Sequence, residues 1–226
     1  MEWYRADAAY EVLMEDCAAL LALAARTTNR LEFAFRGRRM DPFAEPERIT
    51  VAEAFDRFAG VDLLATTDDP AAIAAVATRA GVRVATDDTW ADVFSRIMVQ
   101  RVEPNLGLGR ATILCEYPVA EAALARAKPA DPRVAERFEL YACGVELANA
   151  FAELTDPVEQ RRRFEIEMAE MRRLYGSAYP LDEDFLEALA HMPQASGAAL
   201  GFDRLVMLAT GAEHIDQVRW TPVPWG

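Results

Sequence analysis

The spacing of apolar residues along the chain predicts a mixture of helices and strands. Tyr10, Leu13, Met14, Cys17, Leu20 and Leu21 recur at helical spacing and predict a helix from about Asp7, with one face on a core. Leu31–Phe35 and the following Arg-Gly-Arg turn predict a short strand and a loop. Thr50-Val-Ala-Glu53 is a capping-box pattern, and Phe55, Phe58 and a terminal Gly60 complete a short helix. Asp69-Pro70 opens a second, with Ile73, Val76 and a closing Gly81. Trp90 to Gln100 makes a third. These three helices read as a helical insertion over about residues 48–105. Ala111–Tyr117, Glu136–Tyr141 and Val145–Leu154 read as strands, and the nearly continuous apolar character of the last two suits a sheet covered on both faces. Asp156-Pro157 starts a long helix through Arg173, and Asp184–His191 is helical. Leu200 and Gly201 end a strand before a helix over Asp203–Thr210, which Gly211 closes.

Three carboxylates interrupt the apolar strands: Glu139, Glu146 and Glu153. Buried carboxylates are costly unless a cation, a metal or hydrogen-bond donors compensate them. Two readings stand. The acids line a cation-binding pocket, or they lie on the wet face of a sheet. With a period of two, Asn149, Phe151 and Glu153 share one face. Glu139 lies on the preceding strand, across a turn near Cys143-Gly144. Glu146 has the wrong parity to join Glu153 unless a bulge intervenes.

Composition narrows the class. The chain has 226 residues, enough for one large or two small domains, and 52% are hydrophobic, so a sizeable core can form. The longest wholly apolar run, Cys17–Ala25, falls far short of a membrane span, and no secretory signal is visible. The three cysteines lie in apolar segments without C-x-x-C spacing and suit a reducing, cytoplasmic setting. The net charge of −13 argues against a broad nucleic-acid surface and makes tRNA an unexpected partner. The one basic cluster, Arg161-Arg-Arg, reads as the solvated face of a helix. With only His191 and His214, a histidine-based triad or zinc site is not expected.

Three ordered blocks make the chain recognisable. Glu146-Leu-Ala-Asn-Ala-Phe-Ala-Glu-Leu-Thr-Asp resembles the signature of class II lysyl-tRNA synthetases, and more closely that of their short paralogues, the elongation factor P β-lysine ligases. Ser196-Gly-Ala-Ala-Leu-Gly-Phe-Asp-Arg-Leu-Val-Met-Leu resembles class II motif 3. Met1-Glu-Trp-Tyr-Arg resembles the tail of motif 2. Arg101-Val-Glu-Pro-Asn-Leu-Gly and Arg133-Val-Ala-Glu-Arg-Phe-Glu also match the ligase pattern. The resemblance runs from Met1 to about Gly211.

The resemblance implies an α+β fold: a class II synthetase-like antiparallel sheet flanked by helices, with residues 1–226 a partial catalytic domain. It implies that motif 1 and the first half of motif 2 precede this sequence in the family, and with them a dimerising element. A homodimer is thus expected of the full-length form, and weak activity of the chain alone. The implied activity is formation of an aminoacyl adenylate from ATP, with Mg²⁺ held by Glu139 and Glu146, and transfer to a lysine of elongation factor P. The implied ATP site comprises Glu139, Glu146, Gly201 and Arg204, with Glu146 and Arg204 catalytic. Arg204 would fork to phosphate oxygens, against the alternative of a salt bridge to Asp203 or Glu213. For the substrate, β-lysine or lysine, Glu153 and Tyr4 would meet the side-chain ammonium, Glu2 the amino group and Asn149 the carboxylate. Phe151 would line the aliphatic stem or simply belong to the core. Ala199 stands where lysyl-tRNA synthetases usually have glycine and the ligases have alanine. Two other readings remain open: a remnant without activity that binds a partner, and a synthetase fragment charging tRNA.

Overall fold

The computed structural model describes residues 1–221; the last five residues of the expected 1–226 domain lie outside it. In chain order the elements are β1 (Glu2–Ala6), α1 (Glu11–Thr27), β2 (Phe33–Phe35), β3 (Arg38–Asp41), β4 (Glu47–Thr50), α2 (Val51–Ala59), α3 (Pro70–Arg79), α4 (Trp90–Ile97), β5 (Gly109–Arg110), β6 (Thr112–Cys115), β7 (Ala127–Lys128), β8 (Asp131–Ala135), β9 (Arg137–Ala142), β10 (Val145–Ala152), α5 (Pro157–Tyr175), α6 (Glu183–Leu189), β11 (Ala195–Leu200) and α7 (Phe202–Thr210). Six strands form the central sheet in the order β1-β11-β10-β9-β6-β4. Every pairing in it is antiparallel except β4 with β6. This is the antiparallel sheet flanked by helices that the motifs imply. Among the described residues no helix is long and apolar enough to cross a membrane.

The two faces of the sheet are buried differently. On one, α1 and α7 cover the strands through Leu13, Met14, Cys17, Leu21, Leu205 and Leu208, which pack on Phe138, Leu140, Ala148, Ala150 and Leu200. On the other, α2, α3 and α4 cover only the β4-β6-β9 end. There Phe55, Ile73, Phe94 and Ile97 pack against Ile49, Leu114 and Tyr141. The β1-β11-β10 end of that second face stays open: Glu2, Tyr4 and Ala199 are exposed, and Asn149, Phe151 and Glu153 half-buried.

The caps follow the sequence closely. The Thr50 hydroxyl accepts from the Glu53 amide at 3.1 Å and the Glu53 carboxylate accepts from the Thr50 amide at 2.9 Å, closing the predicted capping box of α2. Asp156 caps α5 by accepting from the amides of Val158 and Glu159. Several bounds move. The first helix starts at Glu11, since Asp7 has φ +54° and its amide is used by the Gln194 carbonyl to end β1. The helix opened at Trp90 gives way after Ile97 to a wider turn over Met98–Val102. The strand expected to end at Leu154 ends at Ala152, and α5 runs on to Tyr175 before a left-handed Gly176. Strand β4 was not legible: it has four residues, two of them charged, and ends on the helix cap Thr50, and only pairing with β6 extends them.

The basic cluster Arg161-Arg-Arg is not a solvated face throughout. Arg163 is 6% exposed. It donates to the carbonyls of Ala122 and Ala125 at 2.8 Å each, and to Glu159, so it ties α5 to the 122–125 loop. Arg161 and Arg162 do reach the surface, paired with Glu183 and Glu159.

Gly107 shows how closely the backbone is packed. It has φ +69°, and a Cβ there would lie 2.7 Å from the Ala142 Cα. Its carbonyl accepts from the Cys143 amide at 2.8 Å, so it cannot move away without breaking that bond. Gly107→Ala is expected to cost about 3 kcal/mol, from left-handed strain and overpacking together. Gly37→Ala, at φ +78° with open space around its Cβ, should cost only the strain, about 1–2 kcal/mol. Urea unfolding of both variants checks this; equal losses would show that the Ala142 contact yields easily.

Candidate active site

The register of the sheet builds the site. Glu2 pairs with Ala199, Ala199 with Asn149, and Asn149 with Glu139, so these four residues form one row across β1, β11, β10 and β9. The next row joins Tyr4, Gly197, Phe151 and Arg137. Side chains directly opposite one another on antiparallel strands share a face. The four expected substrate residues other than Glu153 thus lie on two adjacent rows of the open face, and Glu153 follows Phe151 on it at the end of β10.

Glu146 joins them through a bulge. It pairs with Tyr141, but Ala148 pairs with Leu140, so Leu147 is the extra residue in β10. Leu147 and Ala148 both turn into the apolar core under α1 and α7. Parity is thereby reset, and Glu146 faces the same side as Glu139, Asn149 and Glu153. The turn before it uses Cys143 at φ +52° and Gly144 at φ +71°, the two left-handed residues of a tight hairpin.

The acids are held by a few cations and hydroxyls. Glu139 accepts from Arg137 Nη2 at 2.5 Å on Oε1 and from the Tyr141 hydroxyl at 2.7 Å on Oε2. A carboxylate offers about four lone-pair positions, so both oxygens retain capacity for a metal. Arg204, at the start of α7, donates to the Glu146 carbonyl at 2.8 Å and lies 3.3 Å from its Oε2. Neither Asp203 nor Glu213 is its partner. Gly201 ends β11 beside it and donates to the Leu147 carbonyl at 2.8 Å, so the bulge also anchors the strand-to-helix junction.

At the other end of the face, the Tyr4 hydroxyl donates to Glu2. That bond, with burial and the charges of Glu2 and Glu153, raises the Tyr4 hydroxyl to about 12. Glu153 is pushed up to about 7 by burial and then by the Glu2 charge, since no cation is paired with it. This is an anionic recess that a ligand ammonium would relieve. Gly197 makes it possible: a Cβ there would lie 2.5 Å from Glu153 Oε1 and 2.6 Å from the Tyr4 ring.

Four contributors were missed in the sequence. Arg137 bridges Asn149 and Glu139. Glu103 is half-buried, and its carboxyl is raised first by burial and then by the charges of Glu139 and Glu146. Glu121 is raised to about 7 by burial, against the lowering effect of Arg137. Gly197 is the fourth. Arg137 and Glu103 both sit inside matched blocks, Arg133–Glu139 and Arg101–Gly107, which was the available signal. Glu121 had none. Phe151 is half-buried against Ala122, Ala125 and Ala135, a wall of the face and not deep core. A hollow of about 440 Å³, lined by Trp90, Val119, Arg162 and Ile166, lies beside α5 and shares no residue with this face. The site is an open groove in a sheet.

Among the described residues no three acids, histidines or cysteines converge into a cage for a metal ion. Glu139 and Glu146 on one face do fit Mg²⁺, which commonly takes one or two carboxylates and completes its shell with phosphate oxygens and water.

The chain is similar to several known proteins. The elongation factor P–(R)-β-lysine ligase of Vibrio cholerae serotype O1 is 36% identical over 227 residues, covering 99% of this chain and 64% of the relative. The corresponding ligase of Proteus mirabilis is 40% identical over 178 residues, 78% of this chain and 55% of the relative. The lysine–tRNA ligase of Moorella thermoacetica is 38% identical over 222 residues, 96% of this chain and 44% of the relative. The chain thus spans between 44% and 64% of the length of these relatives. The profile of the class II tRNA synthetases (D, K and N) matches residues 1–223, and the chain belongs to that family.

Proposed function

We propose that the chain is the catalytic part of an ATP-dependent ligase that activates (R)-β-lysine or lysine as its adenylate and transfers it to a lysine of elongation factor P. The observation that carries this reading is the cross-sheet row Glu2–Ala199–Asn149–Glu139, with Tyr4 and Glu153 at one end and Glu146 and Arg204 at the other. A dibasic amino acid needs anionic groups for its ammonium ends and a donor for its carboxylate. The groove supplies both along one line.

In this reading Glu153, Tyr4 and Glu2 hold the two ammonium groups. Asn149 donates to the carboxylate and directs it toward the phosphate end. A carboxylate oxygen attacks the α-phosphorus of ATP, and the bond to pyrophosphate breaks. Arg204 forks to phosphate oxygens and must loosen its contact with Glu146 to do so. Glu139 and Glu146 would hold Mg²⁺, which when bound offsets phosphate charge. In the second step the acceptor amine attacks the activated carbonyl, loses a proton, and AMP departs. The acidic body and Ala199 favour a protein acceptor. Transfer to tRNA is the second reading, favoured by the 38% identity to a lysine–tRNA ligase over 96% of this chain.

ATP–pyrophosphate exchange with each amino acid tests the first step, and transfer to elongation factor P against transfer to tRNA tests the second. Glu146→Gln is expected to lower exchange by at least about 10²-fold with the fold intact, as expected of a group that acts on developing charge. Near-normal exchange in that variant would remove Glu146 from the chemistry. No exchange by the wild-type chain would favour a remnant that binds without turning over. Ala199→Gly should shift preference from β-lysine toward lysine by about tenfold, if one methyl is worth about 1.4 kcal/mol.

The Glu153 carboxyl at about 7 gives a pH signature. A cationic ligand needs it ionised. Affinity for lysine should therefore rise about tenfold from about pH 6 to about pH 8, as the ionised fraction grows from about a tenth to about nine-tenths. For stability the sign is reversed. The folded-state value lies above the unfolded one, so this group favours folding at low pH and loses that contribution as pH rises through about 7. Glu153→Gln should flatten the dependence of affinity, measured by calorimetry; an unchanged slope would assign it elsewhere.

A further inference from the structure

Arg137 lies on β9 opposite Phe151, one pair along from the row that carries Asn149 and Glu139. Its side chain is 16% exposed and makes four contacts. Nε donates to the Asn149 side chain at 3.0 Å, Nη1 to the Glu121 carbonyl at 2.6 Å, and Nη2 to Glu139 Oε1 at 2.5 Å. The guanidinium carbon sits 4.1 Å from the centre of the Tyr117 ring. Three acceptors in different directions and an aromatic face leave a planar fork one orientation.

That orientation fixes its neighbour. A guanidinium has donors and no acceptor, so the Asn149 atom facing it must be the amide oxygen. The Asn149 NH₂ is thereby turned away from Arg137, and among the described residues it donates to no protein group. Asn149 is half-buried on the open face, so this NH₂, free of protein partners beside a well-paired oxygen, is available to a ligand in the groove.

We infer that Arg137 is a positioning residue, which holds the Asn149 amide with its NH₂ presented to the carboxylate of the amino-acid substrate and fixes Glu139 beside it. The inference rests on the substrate reading proposed above. Neutralising Glu139 is the lesser part of the role. A lysine would supply the charge, but its point charge cannot serve Asn149, Glu139 and the Glu121 carbonyl in one geometry.

The test is calorimetric titration of the chain with L-lysine, (R)-β-lysine and 1,5-diaminopentane. The last keeps both ammonium groups and lacks the carboxylate. Arg137→Lys is expected to weaken lysine and β-lysine about tenfold, as for loss of a charge-assisted hydrogen bond, and diaminopentane by less than about twofold. Arg137→Gln is measured beside it, so that one variant decides if the other does not fold. With Asn149→Ala the losses for lysine should not add, because both changes remove the same contact. Equal weakening of all three ligands, or additive losses in the double variant, would overturn the role of Arg137 and leave the substrate reading standing. If the wild-type chain binds none of the three, the substrate reading falls, and the role of Arg137 with it.

Discussion

The register of β10 is the constraint on which the rest depends. Side chains alternate along a strand, so a slip of one residue would exchange every acid on the open face for an alanine from the core. Ala148, Ala150 and Ala152 pack under α1, while Asn149, Phe151 and Glu153 look the other way. The strand is pinned on both sides, by β9 and by β11. The bulge at Leu147 then resets the alternation once, at the only place where an acid would otherwise point into the core. Without it Glu146 would be buried against Leu140 and Leu200 at the full cost of an unpaired charge.

The face so formed is unusual in how little stands on it. Gly197 and Ala199 on β11 leave a shallow trough where larger residues would close it. Around the trough are more carboxylates than cations. Arg137 and Arg204 engage Glu139 and Glu146, while Glu153 is paired with neither and its ionisation is pushed up accordingly. Half-desolvated acids of one sign are costly, and the cost falls when a cation arrives. The surrounding scaffold is stiffened at matching places. Arg163 buries its guanidinium against the carbonyls of Ala122 and Ala125, behind the wall on which Phe151 leans.

The sequence by itself determined most of the element types and pointed to most residues of the candidate site. Periods of 3.6 and 2 and the capping residues are local properties, and they foretold the helices after Thr50, Asp69 and Asp156 and the strands around Glu139 and Glu153. The matched blocks, with Arg133–Glu139 among them, named most residues of the open face. Only the tertiary structure decided the rest, because those features depend on partners distant in sequence. Strand β4 exists through its pairing with β6 and has no strong pattern of its own. Arg163 reads as one more surface arginine until the 122–125 loop is brought over it. Glu146 could not be assigned a face, since a bulge is a matter of which residues pair across two strands and leaves no mark in the alternation of one. Arg137 was passed over for the same reason: its importance lies in Asn149, Glu121 and Tyr117, groups that only the folded sheet brings around a single guanidinium.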